Sequence, residues 1–388
     1  MGMYYTCQPF RVRMPPEDKM HLVKRLAIPI LAALLLPSTV LSEGLERANI
    51  DTSFMYEDGA YAEIAFGQVN PSIPATLNNT GTKLSNVAKS FNVNTVAAKM
   101  PLGDSFEIGL WRTNNGNGVS LDWAPLGVAA EFTIASTVGL VRYKFSDNLS
   151  LIGGLKRIQS ESGATFSSPL SAAITASNYS VESANTTVGV YGAAYEQPEI
   201  GLRIELLAES AGTMSIPVAY SNTTAGGTNN YTGVGELGLG DALTLKFQSG
   251  IAPDTLLFGS VRNSKWKNNQ VKVPVLGGST ASAAISTFKD GQSYTLGLGR
   301  KFGNSLSGTL SAFFDPDSDC GNVSALAPTC ENKAVSVGAK ISLSGNADLN
   351  LGTTWSQRGD ATVRPASINA TTSKNVVTSY GARISYKF

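Results

Sequence analysis

Residues Val376–Phe388 read VVTSYGARISYKF, and this stretch decides the fold class. Its side chains alternate between two faces, as they do in a β-strand. One face carries Val376, Thr378, Tyr380, Ala382, Ile384, Tyr386 and Phe388. The other face carries Val377, Ser379, Gly381, Arg383, Ser385 and Lys387. The first face suits lipid with an aromatic girdle and the second suits a polar interior, so the stretch predicts a strand of a transmembrane β-barrel.

The final residue of this strand is itself informative. A terminal Phe388 after alternating aromatic residues resembles the C-terminal signal of outer-membrane barrels. Barrel assembly machinery recognises that signal, so the resemblance implies the machinery as a partner. The alternative is the last strand of a soluble β-sandwich.

Alternation and turn signals recur along the chain. Short turn signals rich in Gly, Pro, Asp or Asn occur near residues 103–105, 146–148, 197–201, 252–254, 303–304 and 345–347. Longer connections fall near residues 71–90, 115–134, 161–181, 217–238, 267–290, 316–332 and 359–375. Short and long connections alternate, which predicts an all-β, transmembrane antiparallel β-barrel of about 14 strands over residues 59–388. Counts of about 12 or about 16 stay open at this stage, because strand boundaries read from a sequence are imprecise.

The N-terminus predicts a signal peptide over residues 1–42. Lys24 and Arg25 precede the apolar run LAIPILAALLL, and a cleavage site is plausible after Ser42. The run is too short for a membrane-spanning helix. Met20 is an alternative start, because the residues before it resemble no signal element.

Cleavage would change the available chemistry. Residues 1–42 hold five Lys and Arg, two Asp and Glu, and the only histidine, His21, so the mature charge is +1 − 3 = −2. Without histidine, a Ser-His-Asp site and a His-ligated metal are excluded. We therefore expect no enzyme, no cofactor and no metal, and the near-neutral charge gives no reason to expect nucleic acid.

The two remaining cysteines flank a polar loop. Cys320 and Cys330 enclose GNVSALAPT, and an even cysteine count in an exported chain favours a disulfide. Two free thiols are the alternative. Charged residues make up only 15% of the chain, and the mean hydropathy is near zero. With no apolar run of membrane-spanning length after residue 42, a helical membrane protein is disfavoured.

The segment after residue 42 resembles a known family. It reads EGLERANIDTSFMYEDGAYAEIAFGQVNPSIPAT from Glu43 to Thr76. This is similar to the N-terminal region of the FadL/TodX-type outer-membrane transporters of long-chain fatty acids and aromatic hydrocarbons, and closest to their short α-proteobacterial branch. Long members carry an Asn-Pro-Ala motif in their plug, and this chain has none there.

The resemblance implies uptake of a long-chain fatty acid or another hydrophobic small molecule by passive diffusion. It favours a lumen plug over a periplasmic tail for residues 43–58. In the family, ligand is captured by apolar outer loops, enters a pocket lined partly by the plug, and leaves sideways through a gap in the wall. No cofactor or energy source is implied.

Candidate ligand contacts lie in the plug and in the loop near 115–134. Plug candidates are Ile50, Phe54, Met55 and Tyr56, with packing against the wall as the alternative. Loop candidates include Trp123, Leu126 and Phe132, either as an exposed capture patch or packed on the barrel rim, with an interfacial girdle position as a further alternative for Trp123. Candidates for a ligand headgroup are basic: Lys99, Arg112, Arg142, Lys144, Lys156 and Arg157. Their alternative is a place in lumen charge networks or at interfaces.

Other functions remain as alternatives. The first is a non-specific porin for small polar solutes, although no loop carries the dense opposing charge of a constriction. An outer-membrane enzyme and a structural or adhesive barrel are the others. For either channel we expect a monomer in the bacterial outer membrane, in contact with its lipid and lipopolysaccharide.

Overall fold

The computed structural model describes residues 44–123, 126, 128–161, 165–168, 176–274, 282–316, 319–363 and 369–388. The predicted signal peptide therefore lies outside the described residues. The chain forms a closed ring of 14 antiparallel strands, which confirms the predicted fold class and strand number. The barrel strands are β1 Tyr61–Ser72, β2 Phe91–Leu102, β3 Phe106–Trp123, β4 Val128–Lys144, β5 Leu149–Ser160, β6 Ala184–Gln197, β7 Leu202–Glu209, β8 Ala242–Ala252, β9 Thr255–Ser264, β10 Gly291–Lys301, β11 Leu306–Asp315, β12 Cys330–Ser342, β13 Ala347–Gly359 and β14 Asn375–Lys387.

The ring closes between the first and last barrel strands. β1 pairs with β14 from Tyr61↔Lys387 to Ser72↔Val376, and its other edge pairs with β2. Closure leaves no open sheet edge, which matters because unpaired backbone groups in hydrocarbon are costly. Residues 376–387 therefore belong to the strand that closes the barrel.

Connections differ at the two ends of the barrel. Tight turns at one end join β2 to β3, β4 to β5, β6 to β7, β8 to β9, β10 to β11 and β12 to β13. Gly103 and Gly201 take positive φ in two of them, a conformation that suits glycine. The other end carries the long connections. The predicted alternation of short turns and long connections is therefore confirmed.

The long connections contain strands of their own. These are Ala75–Leu77, Lys83–Leu84, Thr165–Ser168, Ala176–Val181, Gly212–Thr224, Gly227–Leu239, Val271–Pro274, Ser282–Ala284, Ala361–Val363 and Ala370–Thr372. Two short 3₁₀ helices, Ser53–Tyr56 and Pro198–Ile200, are the helical elements described. Within the described residues, no helix has the length and apolar character needed to cross a membrane.

The outward face of the wall is apolar. On β14, Tyr380, Ile384 and Tyr386 are exposed while Ser379 and Arg383 are buried, as the alternation predicts. Neighbouring strands expose further apolar side chains, for example Leu151 and Leu351. Exposure of so many large apolar groups is the expected surface of a barrel in lipid.

Residues 44–60 run through the barrel interior. Their contacts reach many strands: Arg47 with Asn115 of β3, Thr52 with Glu205 of β7, and Glu57 with Lys387 of β14. We call residues 44–58 the plug. Phe54 and Met55 pack in a buried cluster with Trp111 and Val138 of the wall.

One inward glycine makes room for this packing. A Cβ at Gly109 would lie 2.1 Å from Met55 Sδ and 2.8 Å from Phe54 Cε2. Gly139, on the next strand, has nothing within 4 Å of its ideal Cβ. The missing side chain of Gly109 therefore leaves the space that Met55 and Phe54 of the plug occupy.

The predicted disulfide is confirmed. Cys320 and Cys330 are joined with their Cα atoms 5.4 Å apart. The loop they enclose packs its Val323, Ala325 and Leu326 into a buried cluster above the barrel.

We expect Gly109→Val to displace the plug without preventing barrel formation, because the new side chain overlaps Met55 but leaves the strand ladder intact. Hydrogen exchange of residues 44–58 should become faster, while heat-modifiable migration of the barrel is kept. Gly139→Val is the matched control and should leave plug exchange unchanged. Equal exchange in the two variants would contradict the role of Gly109.

Candidate functional site

A cavity of about 150 Å³ lies between the plug and the wall. Plug residues Ala48–Ser53 form one side of it, and Val93, Trp111 and Leu207 add apolar surface. A cavity of this size holds one benzene-sized molecule or one end of a longer chain. The cavity is the candidate lumen site.

Four cations line the cavity, and three of them are neutralised. Arg262 pairs with Glu46 and Glu209, Lys246 with Glu205, and Arg383 with Glu63. Arg203 differs from these three, because no salt bridge to it occurs among the described residues. Its Cζ atom lies 4.1 Å from the centre of the Tyr56 ring. Arg203 is therefore the lining cation whose charge a ligand could neutralise.

Glu205 fastens the plug to the wall. Its Oε1 accepts a hydrogen bond from Thr52 Oγ1 at 2.5 Å, and its Oε2 accepts one from Tyr56 Oη at 2.6 Å. Lys246 Nζ lies 3.2 Å from Oε1. Burial and then the Glu205 carboxylate raise the pKa of Tyr56 well above its usual value, so the phenol stays a donor.

The plug residues predicted to contact ligand divide into two groups. Ile50 lines the cavity as predicted. Phe54, Met55 and Tyr56 lie outside the cavity lining and pack against the wall, with the Tyr56 ring between the guanidiniums of Arg142 and Arg203. For these three residues, the structure shows the alternative that was packing against the wall. The 3₁₀ turn directs their side chains towards the wall.

The predicted headgroup cations do not line the cavity. Lys99, Arg142 and Lys144 all pair with Glu107, and Arg142 also pairs with Glu196. Lys156 pairs with Glu209. These four therefore occupy lumen charge networks, which was the alternative interpretation.

Arg112 and Arg157 lie on the outward face of the wall. Arg112 has the parity of Leu110, which is exposed on the outside, and Arg157 has the parity of Leu155. Neither faces the lumen, because inward and outward positions alternate and both residues fall on outward ones, which corresponds to the interface alternative.

A second, smaller pocket of about 60 Å³ lies at the long-loop end. Its lining is almost entirely apolar and includes Phe132, Tyr179, Val218, Val273 and Leu326. We call it the outer pocket. Its residues Ile134 and Leu237 belong to the same buried cluster as Leu45 of the plug, so apolar side chains are continuous between the two.

The other two loop candidates lie beside this pocket. Trp123 is buried, and its indole N–H donates to the Ala325 carbonyl at 3.4 Å. Leu126 packs against the same cluster. Phe132 thus lines the outer pocket, whereas Trp123 binds the loop enclosed by the disulfide.

The ladder between β2 and β3 is interrupted. Its pairing runs from Leu102↔Phe106 to Thr95↔Thr113 and stops there, and β3 carries a bulge between Thr113 and Asn117 in its pairing with β4. Beyond that point, side chains replace ladder bonds: Asn115 Nδ2 donates to the Asn92 carbonyl, and the Asn94 amide donates to Asn114 Oδ1. We call this break the β2–β3 seam.

Arg47 of the plug closes the seam from inside. It donates to Asn115 Oδ1 at 2.9 Å and to Ser120 Oγ at 3.0 Å, and its Cζ lies 3.8 Å from the Phe91 ring centre. Burial lowers the pKa of Arg47 to about 9, so the guanidinium stays charged at neutral pH.

Sequence reasoning missed Arg203 and Lys246 as cavity residues. Both stand at inward positions of alternating strands, LRIEL and LTLKF, so parity could have found them. What parity does not give is the height at which the plug crosses the lumen.

Solved structures share this architecture. A Pseudomonas aeruginosa FadL homologue matches with a TM-score of 0.74 at 11% identity, covering 92% of this chain and 97% of that chain. The Pseudomonas putida toluene transporter TodX matches with a TM-score of 0.63 at 10% identity, covering 87% and 92%. The chain therefore has the fold of these outer-membrane barrels, and the predicted resemblance is confirmed for the fold. No protein-family model and no curated sequence matches it.

We expect Glu205→Gln to loosen the plug, because the charged acceptor of two hydrogen bonds and the partner of Lys246 is lost. The free energy of local opening around residues 50–57 should fall by about 1–3 kcal/mol. Amide hydrogen exchange measures it. Glu236→Gln, at an exposed pair with Lys272, is the control and should change exchange in the plug little. An unchanged plug in Glu205→Gln would contradict the fastening role.

Proposed function

We propose that this protein is a passive outer-membrane channel for hydrophobic compounds, with long-chain fatty acids and monoaromatic hydrocarbons as candidate substrates. One observation carries the proposal: one buried apolar cluster joins the apolar outer pocket to Leu45 of the plug, and residues Ala48–Ser53 of the same plug line the lumen cavity. Solutes that prefer water gain nothing from such a path. Each methylene that leaves water contributes about 0.8 kcal/mol.

The outer pocket is the proposed capture site. Its lining offers dispersion contacts and almost no polar surface, and it lies among the long loops that face the cell exterior in outer-membrane barrels. The substrate would then reach the plug, whose Ile50 and Asp51 line the lumen cavity. A substrate larger than a benzene-sized molecule requires the plug to shift.

The β2–β3 seam is the proposed exit. Two asparagine side chains, rather than a continuous ladder, hold it together, and Arg47 of the plug covers it. Movement of the plug would withdraw Arg47 and weaken the seam at once. Sideways exit into lipid suits a hydrophobic substrate, since the membrane is its preferred phase.

A non-specific porin is the second candidate. An open aqueous pore would be expected for small polar solutes, whereas here the plug crosses the lumen with contacts to β3, β7, β8, β9 and β14. The porin remains an outcome of the uptake test. An enzyme is not proposed, since the chain after residue 42 contains no histidine.

Uptake of radiolabelled oleate and toluene by a deletion strain and its complemented derivative tests the proposal. We expect deletion to lower uptake of at least one of the two, and complementation to restore it. Unchanged uptake of both compounds, together with lowered permeation of small sugars, would establish the porin instead.

We expect Phe132→Glu to weaken capture about tenfold or more, because a carboxylate in an apolar pocket is strongly unfavourable to bound hydrocarbon. Val234→Glu is the control: Val234 is 56% exposed and does not line the pocket. Binding of a fluorescent fatty acid to purified, heat-modifiable protein measures the effect. Equal losses in both variants would place capture elsewhere.

We expect Arg203→Gln to separate the substrate classes. Loss of an unpaired cation should lower affinity for a fatty acid carboxylate, by about tenfold, and leave toluene binding unchanged. Competition binding with oleate and with toluene measures this. Equal effects on both ligands would show that Arg203 acts only by packing on Tyr56.

A further inference from the structure

Two arginines face the membrane rather than the lumen. Arg112 on β3 and Arg157 on β5 are both exposed on the outer surface of the wall. Both are register partners of Thr137 on the strand between them. The row therefore reads Arg112, Thr137, Arg157, with the two arginine Cα atoms about 10 Å apart, since each strand adds about 4.8 Å.

Neither guanidinium is neutralised within the described residues. Arg112 Nη1 donates to Thr137 Oγ1 at 2.7 Å, and no salt bridge to either arginine occurs in the described part of the chain. Several lysines at the same end of the barrel do have a carboxylate partner. Lys89, Lys265, Lys272 and Lys333 each have a carboxylate within reach, at 3.1, 3.4, 3.0 and 2.7 Å.

The next outward row towards the short turns is apolar. Leu110 and Leu155 occupy it, 50% and 63% exposed, so acyl chains can pack there. The arginines thus stand at the border between an apolar surface and a polar one. Gln159 and Asn185, both exposed, continue the polar surface towards the long loops.

The height of the row fits the outer half of the membrane. Arg157 is eight residues after Leu149, where β5 leaves its short turn. At about 3.3 Å per residue and a tilt of about 40°, Arg157 rises about 20 Å, and Arg112, six residues after Phe106, rises about 15 Å, within an apolar band of about 25 Å. Arginine side chains can extend the remaining distance to the headgroups while their stems stay in the apolar layer.

We propose that Arg112 and Arg157 form a binding site for the phosphate groups of lipid A, the membrane anchor of lipopolysaccharide. Guanidinium forks match phosphate oxygens in geometry and charge. The Thr137 hydroxyl lies between them, and Leu110 and Leu155 receive the acyl chains. The long-loop end faces the leaflet where this glycolipid resides, which favours it over a phospholipid.

The site also borders the β2–β3 seam. Arg112 is followed, after Thr113, by Asn114 and Asn115 of the bulge. A lipid held at Arg112 would pack beside that seam and support it from outside, as Arg47 does from inside. The lipid site is independent of the transport proposal, because it requires no ligand in the lumen.

Native mass spectrometry of the purified barrel with added bisphosphorylated lipid A tests the site. We expect the double variant Arg112→Gln/Arg157→Gln to bind about tenfold more weakly than the parent, and the Arg→Lys double variant to retain part of the affinity. Arg300→Gln is the matched control, since Arg300 is an exposed arginine near a short turn at the opposite end. It should bind as the parent does.

A second measurement uses only the parent protein. Lipid A without phosphates should bind about tenfold more weakly than the bisphosphorylated form, and phosphatidylglycerol should fail to displace the latter at equal concentration. Equal binding of phosphate-free lipid A, equal displacement by phosphatidylglycerol, or unchanged binding by a heat-modifiable double glutamine variant would each overturn the proposal.

Discussion

The pairing of β1 with β14 is the constraint on which the rest depends. Twelve register pairs, from Tyr61↔Lys387 to Ser72↔Val376, turn an open sheet into a closed one. In hydrocarbon, every unpaired amide or carbonyl is costly, so a partly closed ring of these strands would not be stable there. Closure also forces every second side chain inward. The inward residues must then be accommodated by the plug, by one another or by water, and the lumen described above is the result.

Ion pairs and a glycine allow the inward-facing residues and the plug to fit together. Glu107 and Glu209 each meet cations from two strands, Glu205 meets Lys246, and Gly109 leaves space for Met55. Buried charges of this kind specify where partners must sit, because a misplaced one would be left unpaired. The plug is therefore positioned by charge and by shape together, and its Arg47 reaches the interrupted β2–β3 ladder.

Much of the fold was predictable because alternation and turn chemistry are local properties. The closing strand, the turns, the strand number and the Cys320–Cys330 bridge were all predicted from them. The site was less predictable. Parity alone assigns Arg203 to the lumen and Arg112 to the outside, but the sequence does not say how high the plug runs or which cation it leaves unpaired. The burial of Trp123 was not predictable from its own stretch of sequence either, because it depends on a loop about 200 residues later in the chain.

The plug has an electrical consequence as well as a steric one. Residues 44–58 hold Glu46, Asp51, Glu57 and Asp58 against Arg47, a charge of −4 + 1 = −3. The wall turns Arg203, Lys246, Arg262 and Arg383 towards it. While the plug is seated, its Glu46 and Glu57 pair with Arg262 and Lys387 of the wall, whereas Lys246 and Arg383 pair with wall carboxylates. Withdrawal of the plug would remove its net charge of −3 from the lumen, and any ion current through the barrel would shift towards anions.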